Sequence, residues 1–101
     1  MKKVNYAVCV KNMMYFLNFT HYGNNMSGIL KPDQEIQLIK YYKYDYAIYS
    51  YKTLICFVNF TDRTYCINPK KYSSTTSKQV TYIRRAAKNW EHEGFERILW
   101  I

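Results

Sequence analysis

The sequence predicts an α+β fold: an antiparallel β-sheet, made of a meander at about 44–68 plus an N-terminal hairpin, packed by one C-terminal α-helix at about 75–91. Three observations carry the prediction. Residues 46–60 alternate with the period of a pleated strand, and TLICFVNF at 53–60 places Leu54, Cys56, Val58 and Phe60 on one face. Beyond 75 the period changes, and Val80, Ile83, Ala87 and Trp90 recur at helical spacing. The 101 residues are 49% hydrophobic and 19% aromatic with only three Gly and two Pro, which suits one compact core in a single domain and not a disordered chain.

In chain order, VNYAVCV (4–10) and MMYFLNF (13–19) read as two strands joined by a Lys11-Asn12 turn. Residues 20–28 are rich in Asn, Gly and His and read as a loop. Pro32-Asp33-Gln34-Glu35 has Pro and acids where a helix N-terminus favours them, and residues 36–39 fit either a short helix or an irregular strand. Residues 1–43 are therefore expected to be a hairpin with a short helix or irregular extension. Strands follow from Tyr44, from Thr53 and from Thr64, with Asp62-Arg63 as a two-residue turn and Pro69 as the stop. Thr75, Thr76 and Ser77 offer hydroxyls to cap the helix, and Thr76 with Gln79 has capping-box spacing. After Gly94 the tail FERILWI closes the fold with Phe95, Ile98 and Trp100 buried.

Charge is segregated. Of 15 basic residues, seven (Arg63, Lys70, Lys71, Lys78, Arg84, Arg85 and Lys88) lie between 63 and 90, a stretch without Asp or Glu, and the net charge is +8. Projected at about 100° per residue, Lys78, Arg84, Arg85 and Lys88 share the arc opposite the apolar stripe. No Glu stands four residues away to neutralise them, and unpaired cations on one face repel. A solvated face is the ordinary use of such a helix side; the missing acids favour a polyanionic or acidic partner. Just before the helix, KYSSTTSK sets Ser73, Ser74, Thr75, Thr76 and Ser77 between Lys71 and Lys78. Helix capping accounts for one or two of these hydroxyls, and the helix N-terminus makes the remainder a candidate phosphate contact. Tyr72 and Tyr82 flank the patch and are placed either to stack on a base or to half-bury against the core.

Other chemistry finds little support. Cys9, Cys56 and Cys66 are odd in number and lack C-x-x-C or His spacing, which predicts buried thiols in a reducing compartment and neither disulfide nor metal. His21 and His92 are far apart, and His92 among Glu91, Glu93 and Glu96 reads as a solvated charge cluster. No phosphate loop or H-E-x-x-H is present, so the expectation is a non-enzyme without cofactor or metal. Met-Lys-Lys opens like a secretory signal, but Asn5, Lys11 and Asn12 interrupt the apolar run, and no stretch approaches the ~18 apolar residues of a membrane span. A cytoplasmic protein is expected, and the sequons at Asn18, Asn25 and Asn59 are chance matches. Twelve Tyr are weak evidence for base stacking, because Lys, Asn, Tyr and Ile, all with AT-rich codons, dominate the chain.

Residues 46–55 (Y-x-I-Y-S-Y-x-T-L-I) and 71–83 (K-Y-S-S-T-T-S-K-x-x-x-x-I) resemble a group of small proteins encoded by phages and prophages of low-GC Gram-positive bacteria. The resemblance spans 44–83 and leaves 1–43 as an addition particular to this chain. Many members of the group place His after the last Lys of the motif, where Gln79 stands here. It implies a mobile-element origin and a bacterial host cytoplasm, with no settled activity for the group. Size, charge and resemblance together suggest a phage accessory protein, monomeric or homodimeric, that inhibits a host nucleoprotein machine, most plausibly a CRISPR-type defence complex. Its partner would be a host protein or protein–RNA complex, met through Lys70, Lys71, Tyr72, Ser73, Thr75, Thr76, Ser77, Lys78, Tyr82, Arg84, Arg85 and Lys88. The alternative is a regulatory protein that binds DNA or RNA directly through the same face.

Overall fold

The computed structural model describes residues 3–23, 25–70 and 73–101. Among them seven strands form one sheet in chain order: β1 (Lys3–Val4), β2 (Phe19–His21), β3 (Met26–Gln37), β4 (Tyr41–Ser50), β5 (Thr53–Asn59), β6 (Thr64–Ile67) and β7 (Glu96–Ile98). The four inner pairings are antiparallel, and the two outer ones, β1 with β2 and β6 with β7, are parallel. Parallel neighbours cannot be joined by a tight turn and need a crossover. Two helices supply it: α1 (Tyr6–Met14) between β1 and β2, and α2 (Ser74–His92) between β6 and β7. The α+β class, the meander and the C-terminal helix stand as the sequence predicts.

The N-terminal hairpin does not. Residues 6–14 are helical, so the fold has two helices and not one. Asn5 caps α1, its Oδ1 accepting the Val8 N–H at 3.0 Å, and Cys9 and Met13, one turn apart, are fully buried while Lys11 faces out. A short apolar run fits either period, and the covering of Cys9 and Met13 by the rest of the fold decides for the helix. The helix start at Pro32 is overturned as well. Those residues lie in β3, which breaks register between Leu30 and Gln34, with Asp33 at φ 62°. The Asp45 carboxylate holds this bulge: Oδ1 accepts the Asp33 N–H (3.0 Å) and Oδ2 the Phe60 N–H (2.8 Å). Pro32, which has no N–H, falls where the ladder lapses. The irregular-strand reading of this stretch is therefore the one that holds, through Gln37. Likewise the 20–28 loop shrinks, because Phe19–His21 and the run from Met26 are strands.

Both helices cover one face of the sheet. Cys9 and Met13 of α1 and Ile83, Ala86, Ala87 and Trp90 of α2 join Tyr46, Ile48, Cys56, Val58, Tyr65 and Ile67 in one core cluster. Trp90 ties the helices together, its indole N–H donating to the Met13 carbonyl at 3.0 Å. On the other face Phe57 is buried among Tyr42, Tyr44 and Trp100, and the Tyr42 hydroxyl donates to the Leu99 carbonyl at 2.8 Å. This explains why Phe57 is buried as well as Cys56 and Val58 although β5 reads as an alternating strand, while Ile55, at the register shift between β4 and β5, joins the core cluster itself. Residue 28 must be Gly: a Cβ there would stand 2.3 Å from both Phe19 Cε1 and Tyr46 Oη.

Candidate functional site

Helix α2 is held at both ends in ways that determine what it exposes. Its N-cap is Ser73, two residues before the hydroxyls that the sequence favours, with Oγ accepting the Thr76 N–H at 3.2 Å. Thr76 is consequently buried, its hydroxyl within hydrogen-bonding distance of Ser50 and Ser73. Gln79 does not complete a capping box. It is fully buried, and its Nε2 donates to the Asn25 carbonyl at 2.5 Å, anchoring α2 to the loop between β2 and β3. At the C-terminus Gly94 adopts φ 92°, with Gly94 N–H to Glu91 carbonyl at 3.1 Å and Phe95 N–H to Trp90 carbonyl at 3.0 Å. These two bonds form a Schellman cap, which turns the chain back into β7.

With Thr76, Gln79, Ile83, Ala86, Ala87 and Trp90 inward, Ser77, Lys78, Thr81, Arg84, Arg85 and Lys88 are exposed. The four cations of the helix do share the outer arc, but its two edges differ. Arg84 borders a groove of about 330 Å³ between α2 and the end of β6. Ile67, Pro69 and Val80 give this groove apolar walls, Ser77 and Thr81 add hydroxyls, and Lys70, Arg84 and Arg97 add charge. None of its lining residues is acidic. The volume is at the lower end of the ~300–1,000 Å³ typical of ligand clefts. On the other edge Lys78 and Arg85 lie over Tyr6 and Tyr82.

Three of the seven acidic side chains are engaged elsewhere. Asp45 is held by backbone N–H groups, Glu35 accepts from the Tyr41 hydroxyl, and Glu91 accepts from Tyr65. Burial, with Glu91 next, pushes the Tyr65 hydroxyl up to about 12, and the Arg97 charge offsets part of that. Among the described residues no carboxylate stands within 4.0 Å of the charged groups of Lys78, Arg84, Arg85, Lys88 or Arg97. Arg63, the first cation of the acid-free stretch, sits apart, donating to the Glu93 carbonyl at 2.5 Å.

The sequence-derived site residues thus divide. Lys70, Ser77 and Arg84 meet at the groove, Lys88 continues the same side of α2, and Lys78, Tyr82 and Arg85 meet at the opposite edge. Ser73 is a cap, Thr75 is half-buried and Thr76 is inside. Lys71 and Tyr72 lie outside the described residues. Arg97 was missed, because in sequence it stands among tail acids and only the parallel pairing of β7 with β6 brings it to the groove. The thiols are buried: desolvation pushes Cys9 and Cys66 up to about 11 and Cys56 higher still, which disfavours a thiolate at neutral pH. Among the described residues no three His, Cys, Asp or Glu gather as metal ligands, and no helix is long and apolar enough to cross a membrane.

Fold and surface together define a small α+β protein that exposes an unpaired cationic helix beside a groove without acids. The chain belongs to the family of unknown function DUF8033, which matches residues 8–98. That range takes in most of the N-terminal 43 residues, so they are not an addition particular to this chain. No curated protein and no solved structure matches it.

Proposed function

We propose that this protein is a non-enzymatic accessory protein that docks on the phosphate-bearing surface of a host nucleoprotein complex through α2 and the groove beside it. The observation that carries this reading is the set of five cations, Lys78, Arg84, Arg85, Lys88 and Arg97, without carboxylate partners within 4.0 Å among the described residues. A surface of that kind lowers its own repulsion by meeting an anion, and phosphate also suits the hydroxyls of Ser77 and Thr81. The resemblance of residues 46–55 and 71–83 to phage-encoded proteins favours inhibition of a bacterial defence complex of the CRISPR type. Affinity purification from such a host, with and without nuclease, tests it. The expected result is one nucleoprotein complex retained by the wild type and lost from Arg84→Gln/Arg85→Gln/Lys88→Gln. Equal capture by that variant would overturn the reading.

A second reading, direct binding of DNA or RNA, is favoured by the groove itself, whose cations and hydroxyls need no protein to present a phosphate. Bare nucleic acid should then bind with log affinity falling by about 0.7–0.9 per contacted phosphate for each unit of log salt. The charge variant should flatten that slope. Negligible affinity for bare strands, with a host complex still captured, returns the choice to docking on an assembly.

A further inference from the structure

On the edge of α2 away from the groove, four rings form a column. Tyr22 leans on His21 with centroids 4.7 Å apart, His21 lies against Tyr6 at 3.9 Å and 20°, and Tyr6 against Tyr82 at 4.6 Å and 16°. The column is built across three elements, from the start of α1, the end of β2 and the middle of α2. Two cations accompany it: Lys78 Nζ is 5.2 Å from the Tyr6 centroid, and Arg85 Cζ is 5.1 Å from that of Tyr82.

Packing accounts for the inner rings, since His21 is buried and Tyr6 and Tyr82 are half-buried. It does not account for Tyr22, which ends the column 66% exposed. A guanidinium stacked on a ring is fixed in place, yet its in-plane N–H groups remain available to an anion. Arg85 has no hydrogen-bonding or ionic partner among the described residues to use them. An uncovered aromatic ring at one end of a column that carries ring-held cations further along supplies both halves of single-strand recognition: bases stack on the ring while phosphates follow the charge. Paired bases in a duplex are already stacked on one another and cannot use Tyr22.

We propose that this edge binds a single-stranded segment of RNA or DNA, with one base stacked on Tyr22 and neighbouring phosphates on Lys78 and Arg85. The proposal rests on the reading of α2 as phosphate-facing and names the form of nucleic acid that it faces. Fluorescence anisotropy with labelled oligouridylate, oligothymidylate and a duplex of equal length tests it. The expected result is preference for the strands, with Tyr22→Ala weakening strand binding about tenfold. Duplex affinity and the salt slope should not move, and Tyr22→Trp should bind strands at least as well as the wild type. Tyr22 is exposed, so these variants should fold. Equal binding of strand and duplex, both weakened by Arg84→Gln/Lys88→Gln and neither by Tyr22→Ala, would overturn the base-stacking proposal and leave the phosphate reading standing. If neither nucleic acid binds and nuclease leaves the captured host partner unchanged, the partner is protein and both fall. Uridylate against thymidylate separates an RNA source from a DNA one.

Discussion

At the residue scale, Trp90 and Phe16 are where most of the aromatic core converges. Trp90 is 1% exposed, stacks on Phe16 at 5.4 Å, meets Tyr65 edge-on and donates to the Met13 carbonyl. Trp90→Phe would keep an aromatic ring but remove the indole donor, leaving the Met13 carbonyl with the Phe16 N–H alone. We expect the lost hydrogen bond and the smaller buried ring together to lower unfolding free energy by about 1–3 kcal/mol, read from urea midpoints. Phe16 adopts φ 56°, a conformation that ordinarily favours Gly. There it ends α1, with the Phe16 N–H on the Met13 carbonyl (3.2 Å) and the Leu17 N–H on the Asn12 carbonyl (2.8 Å). Contacts with Tyr46, Phe60, Trp90 and Phe95 hold the ring there and offset the backbone cost. A bulky residue in that conformation is not readable from the sequence, because only the assembled core justifies it.

At the element scale, α2 was legible and α1 was not. The α2 stripe runs for about three turns from Val80 to Trp90, has its charges on the opposite side and is followed by Gly94, so the helical period is unambiguous. The nine residues of α1 are apolar on most positions and lack that contrast. Even in α2 the sequence puts the cap too late, at Thr75–Ser77, because hydroxyls run through the whole entry segment and nothing local distinguishes them. Ser73→Ala should therefore cost about 1 kcal/mol. Ser77→Ala, at an exposed position beyond the cap, should leave the thermal midpoint nearly unchanged. Comparing the two melting curves checks whether Ser73 alone caps the helix, and equal losses would refute the assignment.

At the scale of the whole molecule, burial of titratable groups predicts how stability depends on pH. An unfolded thiol ionises near its ordinary 9.0, whereas Cys9 and Cys66 in the fold are held neutral up to about 11. Above pH 9 the unfolded chain thus releases protons that the folded chain retains, which favours unfolding. Stability should be fully present below about 9 and fall as pH rises towards 11. Cys56 and Tyr46, also pushed up by burial, add to the fall. Urea midpoints at stepped alkaline pH, for the wild type and Cys66→Ala, should show a shallower decline in the variant. A flat wild-type profile would mean that the thiols are not shielded.

From sequence alone come the class, the β4–β6 meander, the extent of α2 and the clustering of its cations, all of which depend on periodicity within a few turns of chain. Tertiary structure decided the rest: that residues 6–14 form a helix, that β1 pairs in parallel with β2 and β7 with β6, and that Arg97 and Lys70 meet Arg84 across a groove. It also set His21, Tyr6 and Tyr82 in one column although they come from separate elements. The division follows from range. A local pattern constrains φ and ψ of its own residues, but which side chains become neighbours across the fold depends on how separate elements bury one another's surfaces.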